Sequence, residues 1–241
     1  MKKRRNYFIK TAAMNYRAVL VIALIAAVVG VSVAAVGVKE RVAANSPAPT
    51  FTVVIDAGHG GIDGGVTGVN YGVVESELNL YMARALREDF ENAGFCVVMT
   101  RTTSAGLYGA SYSSLKKTDM LNRKKIIEQA DADVVISLHM NKCSLPSRRG
   151  AQVFFKPQDD ESRRLAERVQ DRLNGMEEAS RSCITLVGDY YVLNESPCPA
   201  ILVECGFLSN AEDEKLLLTE EYREKLSYEI FCGTVGYLLV K

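Results

Sequence analysis

Two histidines and two glutamates stand where this 241-residue sequence passes between apolar runs and polar segments. His59 lies in DAGHGGIDGG, a loop that follows the apolar run Val53–Ile55 and Asp56. The stretch from Val53 to Gly68 holds six glycines. Glycines strip side chains from whatever a loop approaches, which opens a site at the end of a strand. His139, the one other histidine, follows the run Val134–Leu138, and Glu204 follows Ala200–Val203. Glu75 opens a helical pattern just after the glycine loop. Two neutral imidazoles, one carboxylate and a water make a tetrahedral zinc site, and a further carboxylate can take the proton from that water. The candidates are therefore His59, Glu75, His139 and Glu204. The plainer reading makes each histidine an ordinary core or loop residue.

Four blocks occur in order: DAGHGGIDGG at Asp56–Gly65, ESELNL at Glu75–Leu80, SLHMN at Ser137–Asn141 and VECGFLSN at Val203–Asn210. Together they resemble the zinc-dependent N-acetylmuramoyl-L-alanine amidases of the type 3 class, over residues 51–241. The resemblance implies that His59, Glu75 and His139 bind Zn2+ and that Glu204 is the catalytic glutamate. It implies the bond as well, the amide joining the lactoyl group of N-acetylmuramic acid to L-alanine of the peptidoglycan stem peptide. The stretch YSSLKKTDMLNR at Tyr112–Arg123 further resembles the germination-specific branch, which acts on spore cortex peptidoglycan, prepares muramic lactam and can need a partner protein. Two alternatives stay open: a zinc peptidase cutting within the stem peptide, and a non-catalytic peptidoglycan-binding module.

The elements that must position these residues alternate between strand and helix. After the first strand, Glu75–Ala93 places Leu78, Met82, Ala85, Leu86, Phe90 and Ala93 on one helical face, with Gly94 as a stop. Strands follow at Phe95–Thr100, at Asp133–Leu138, which delivers His139, at Gly150–Phe155 and at Ala200–Glu204. Helices are expected from a Thr118 cap to Ala130, over Asp159–Leu173 and through two closing segments, Ala211–Leu218 and Thr219–Leu238. Such a pattern predicts an α/β three-layer sandwich with a largely parallel sheet, whose strand C-terminal ends hold the site. The resemblance adds a mixed sheet of about six strands flanked by helices. Arg101–Lys117 is either a rim or lid of the site or a disordered connection. Tyr190, Tyr191 and Leu193 either line a substrate groove or simply pack. Asn141 either orients a ligand or forms a turn. Asp56, Asp63 and Asn79 are candidates to hold ligands in place, with nothing to choose among them. The glycine loop lacks the Lys-Ser/Thr ending of a phosphate-binding loop, and Asp63 breaks the dinucleotide register.

Formal net charge is zero, but residues 1–17 carry six Lys or Arg and no acid, so the remainder is net negative. This local basic balance leaves no nucleic-acid footprint. Ala18–Val38 is then uncharged for 21 residues. At 1.5 Å per residue that suffices to cross about 30 Å of hydrocarbon, with the basic flank in the cytoplasm and the enzyme outside. Cleavage as a secretory signal is the alternative. The domain plan is a cytoplasmic segment 1–17, an anchor or signal 18–38, a linker 39–50 and one catalytic domain 51–241. The six cysteines lack the paired spacing of a zinc knuckle or redox dithiol. They are expected to be mostly free, buried thiols, with Cys96, Cys205 and Cys232 inside apolar patterns. Cys205 adjoins Glu204, but no third histidine exists to activate it as a thiolate.

Overall fold

Strand alternation decides which side chains face which side of the central sheet. The computed structural model describes residues 51–109, 114–179 and 182–240. Strands β1 (Thr52–Ala57), β2 (Cys96–Met99), β3 (Val134–Asn141), β4 (Gln152–Phe155), β5 (Leu186–Val187) and β6 (Ala200–Phe207) form one sheet in the order β2-β1-β3-β6-β4-β5. β1 is parallel to β2 and β3, and β3 is parallel to β6. β4 runs antiparallel to β6, and β5 follows the direction of β4. The sheet is therefore mixed, mostly parallel and six-stranded, as expected. Among the described residues six helices accompany it: α1 (Glu75–Asn92), α2 (Leu115–Gln129), α3 (Asp160–Asn174), α4 (Tyr191–Asn194), α5 (Ala211–Leu217) and α6 (Glu220–Leu238).

The period of two in each strand divides the interior into two unequal cores. Val53 and Ile55 of β1, Val134 and Ile136 of β3, and Ile201 and Val203 of β6 join the larger core. It is completed by Leu86 and Phe90 of α1, Leu165 and Val169 of α3, and Leu226 and Ile230 of α6. The intervening residues Val54, Val135, Ala200 and Leu202 meet Ile127 of α2 and Val192 and Leu193 of α4 in the smaller core. Continuing the same alternation puts Asp56, Ser137, His139 and Glu204 on the smaller core's side, towards the C-terminal ends of β1, β3 and β6. Two of these are direct neighbours, because His139 and Glu204 are partners in the β3–β6 ladder.

Several expected boundaries move. β3 runs on to Asn141, so His139 lies inside the strand and not after its end, and β6 runs on to Phe207, so Glu204 is not its last residue. The parallel pairing continues past both residues with a shift of register between His139 and Asn141. α2 starts at Leu115 after Ser114, and Thr118 sits within its first turn, donating its N–H to Ser114 O, instead of capping it. Asp159 is the cap of α3, its Oδ1 accepting the Ser162 N–H at 2.9 Å. Leu186–Val187 forms the short β5 and Tyr191–Asn194 the single-turn α4. Ala93 caps α1 but is exposed, and Gly94 with φ of 86° ends that helix. No disulfide joins the cysteines, yet only Cys205 is buried, and Cys96 on edge strand β2 is exposed. The expected segments 1–17, 18–38 and 39–50 lie outside the described residues, among which no helix is long and apolar enough to cross a membrane.

Phe90 is fully buried and meets Phe95 and Phe231 edge-on, with ring centroids 5.4 and 5.0 Å away. Truncating it removes that contact and leaves a cavity between α1 and α6. Phe90→Ala should lower unfolding free energy by about 3–5 kcal/mol, read as a shifted denaturant midpoint with an unchanged slope.

Candidate metal and catalytic centre

His59 enters the site through an unusual backbone. Its φ is 61°, the left-handed region, and the carbonyls of residues 57 to 59 are held by buried arginines. Arg101 donates to Ala57 O and Gly58 O, both at 2.9 Å, and to Ser76 O at 2.8 Å. Arg123 donates to Ala57 O at 2.7 Å and to His59 O at 2.6 Å. Saturating buried carbonyls this way offsets the cost of turning the chain sharply away from the sheet. Gly58 matters for another reason: a Cβ there would lie 2.3 Å from the His139 ring. Only a residue without a side chain lets β1 and this imidazole approach so closely.

Glu75, in the first turn of α1, is 2 % exposed and sits between the two histidines. Its Oε1 is 3.2 Å from His59 Nε2 and 3.0 Å from His139 Nδ1. The same oxygen accepts the Met140 N–H at 3.1 Å and the Asn79 side-chain amide at 3.3 Å, while Oε2 accepts the Val66 N–H at 2.8 Å. One donor atom from each of His59, Glu75 and His139 lies within 4.8 Å of the others. Burial alone would push the Glu75 carboxyl up, but hydrogen bonds from His139 and then His59 hold it far below the usual range. Burial would lower His59, whereas Glu75 and then Asp63 raise it to about 9. Two imidazoles and a carboxylate converging in this way match the donor set of a catalytic zinc site with an open position.

Glu204 is 8 % exposed and lines the same cavity, of about 430 Å³. Its Oε2 is buried with no hydrogen-bond partner, and burial pushes the carboxyl up to about 7, with Glu75 adding to the rise and both histidines opposing it. An unpaired buried carboxylate oxygen aimed into a cavity is suited to exchanging a proton with whatever enters. All four sequence candidates therefore come together. Cys205 points instead into the larger core, where burial first, then Glu204 and Glu75, push its thiol well up and keep it neutral.

The supporting candidates separate. Asp63 Oδ2 lies 2.9 Å from His59 Nδ1, and Asn79 ties Glu75 to Gly58 O, the latter at 3.1 Å. Asp56 touches neither histidine; it accepts from Thr100, Ser137 and Arg123 at 2.7, 2.6 and 2.5 Å. Asn141 Oδ1 accepts the N–H of Lys142, a turn role. Tyr190 and Tyr191 line the cavity, but Leu193 is fully buried in the smaller core. Thr100, Arg101, Asp119, Arg123 and Ser137 were not anticipated. Asp119 and Arg123 carry a signal only as an i,i+4 pair, which on a polar helix reads as solvated. Ser137 has a clearer one, a lone hydroxyl in an apolar strand with the parity of His139.

An α/β sheet that gathers His, Glu, His and a free carboxylate over its parallel strand ends defines a hydrolase site. The chain matches the family described as N-acetylmuramoyl-L-alanine amidase over residues 53–234. It is 32% identical over 195 residues to the germination-specific N-acetylmuramoyl-L-alanine amidase of Bacillus subtilis, covering 78% of this chain and 80% of that protein. The CwlD amidase of Clostridioides difficile, solved in complex with the GerS lipoprotein, superposes with a TM-score of 0.77 at 32% identity, covering 80% of this chain and all of that one. An N-acetylmuramoyl-L-alanine amidase from Clostridium difficile 630 gives 0.71 at 30% identity, over 81% of this chain and 100% of that one. The chain therefore belongs to the N-acetylmuramoyl-L-alanine amidase family. Its reaction is hydrolysis of the amide between N-acetylmuramic acid and L-alanine in peptidoglycan.

Burial pushes the Asp56 carboxyl up, but Arg123, then Ser137, His139 and Thr100, bring it from 3.8 down to about 2. A depressed carboxyl stabilises the fold fully above its unfolded value and loses that contribution as pH falls through its folded value. Asp56→Asn should cost about 3–5 kcal/mol at neutral pH by leaving Arg123 short of a partner. The gap to the natural protein should narrow between pH 3.8 and 2, as measured by urea unfolding across that range.

Proposed function

We propose that this chain is a zinc-dependent amidase of spore cortex peptidoglycan, with His59, Glu75 and His139 as zinc ligands and Glu204 as the proton-transferring residue. The observation that carries the reading is the single Glu75 oxygen lying 3.2 and 3.0 Å from nitrogens of two imidazoles. A bound zinc ion would polarise the scissile carbonyl and make water a competent nucleophile near neutral pH. Glu204, beside His139 in the strand ladder, takes the proton from the attacking water and returns it to the departing amine of L-alanine. Asp63 keeps the His59 ring oriented by engaging Nδ1, leaving Nε2 for the metal. Tyr190 and Tyr191 wall the cavity on the smaller core's side and fit the apolar faces of the glycan or stem peptide.

The cortex assignment draws support from the germination-specific relative and from the Tyr112–Arg123 stretch. An accessory protein partner is supported by the lipoprotein bound to the related CwlD amidase. The basic residues 1–17 and uncharged Ala18–Val38 support a membrane-anchored domain working outside the cytoplasm, or a secreted one after cleavage.

Glu204→Gln should keep zinc but lose about 10²–10⁴-fold in hydrolysis, whereas His59→Ala should lose both. Metal content and released product, measured on the same preparations, check this. Full activity in Glu204→Gln removes the base assignment. Products bearing a new L-alanine amine and a lactoyl carboxylate distinguish the amidase from a peptidase cutting inside the stem. Chelation should abolish activity, and added zinc should restore it.

A further inference from the structure

Residues 101–109, which follow β2, form a strap over the glycine loop. Gly61 donates its N–H to Ser104 O at 2.7 Å, and Ile62 donates to the Tyr108 hydroxyl at 2.6 Å. The strap is fastened from below by α2, where Asp119 Oδ1 accepts the Leu107 N–H at 2.6 Å and Asn122 donates to Leu107 O at 2.5 Å. The second Asp119 oxygen accepts from Arg123 Nε at 2.6 Å. The same guanidinium donates to Asp56 at 2.5 Å and to His59 O at 2.6 Å. A single buried side chain thus joins the strap's carboxylate anchor to the main chain of His59.

We propose that Asp119 and Arg123 are positioning residues that make zinc uptake at His59 and seating of the strap mutually dependent. His59 occupies a left-handed conformation that a side-chain-bearing residue keeps only where its surroundings over-determine it. Arg123 supplies much of that constraint. Its fork reaches Asp56, Asp119 and the carbonyls of Ala57 and His59 together, which a lysine's point charge cannot do. When the strap lifts, the Leu107 N–H leaves Asp119, and the carboxylate that fixes the guanidinium's orientation is freed to solvent. Arg123 then loses its fixed angle, and His59 with it. By linkage, a metal held by His59 must stabilise the seated strap as much as the seated strap favours the metal.

The inference rests on His59 being a zinc ligand, and the experiment separates the two. Zinc affinity of the full chain is measured by competition with a chromophoric chelator for the natural protein, Asp119→Asn, Arg123→Lys and Tyr108→Phe. Hydrogen exchange of residues 101–109 is followed with and without zinc. Asp119→Asn and Arg123→Lys should bind zinc about 10–100-fold more weakly, with a smaller loss in Tyr108→Phe. Zinc should slow exchange at Leu107 in the natural protein and fail to do so in Asp119→Asn. If Arg123→Lys does not fold, the near-isosteric Asp119→Asn and the single-hydroxyl Tyr108→Phe decide the matter. Natural affinity in folded Asp119→Asn, or weakened affinity with no zinc-dependent protection of Leu107 in the natural protein, overturns the link alone. A natural chain that takes up no zinc overturns the ligand assignment and the link together.

Discussion

One buried carboxylate oxygen organises the centre. Glu75 Oε1 is approached by a nitrogen from each histidine, a backbone N–H and a side-chain amide, while its companion oxygen takes the Val66 N–H. A carboxylate with so many donors stays ionised in an interior that would otherwise neutralise it. Its charge then draws both imidazoles inward across residues far apart in sequence. Electrostatics inside a poorly solvated pocket act strongly, so this group can fix the geometry of side chains arriving from β3 and from a glycine-rich loop. Placing it in the first turn of α1 also sets the negative charge at the favourable end of that helix dipole.

The backbone around the centre is as constrained as its side chains. Arg101 and Arg123 together donate to the main chain leaving β1 and to Asp56 beneath it, and their remaining bonds go to Thr103 O, Ser76 O and Asp119. Their guanidiniums are the polar interior of a region where the smaller core has little apolar material to offer. Stability and chemistry are thereby divided. The side of the sheet carrying α1, α3 and α6 supplies most of the buried hydrocarbon, and the other side supplies the polar residues that react.

The four candidates and the largely parallel sheet could be read from local signals in the sequence, whereas the mixed six-stranded sheet was implied by the family resemblance. Imidazoles are rare, Glu75 opens an amphipathic helix, and apolar runs mark β1, β3 and β6. What escaped was everything that depends on tertiary partners. Nothing in TDMLNRKKII says that Arg123 is buried, since the same Asp-x-x-x-Arg spacing on a solvated helix looks alike. The ends of β3 and β6 were misplaced because His139 and Glu204 look like interruptions of an apolar run. On a face whose apolar residues give way to polar ones towards the strand C-termini, they are its continuation. Leu193 and Tyr191 differ in fate for a reason only α4 provides: its single turn rotates one into the core and the other towards the cavity.

That two-residue repeat also has a bearing on how this protein can change over evolutionary time. His139 and Glu204 stay on the reactive face solely because an odd number of steps separates each from the apolar neighbours that pack behind the sheet. Inserting or deleting one residue upstream of either within its strand would turn the ring or the carboxylate into hydrocarbon and push leucine or valine into the cleft. Length variation must therefore accumulate in the connecting loops, and homologues that differ greatly in overall size should keep both strand frames unbroken.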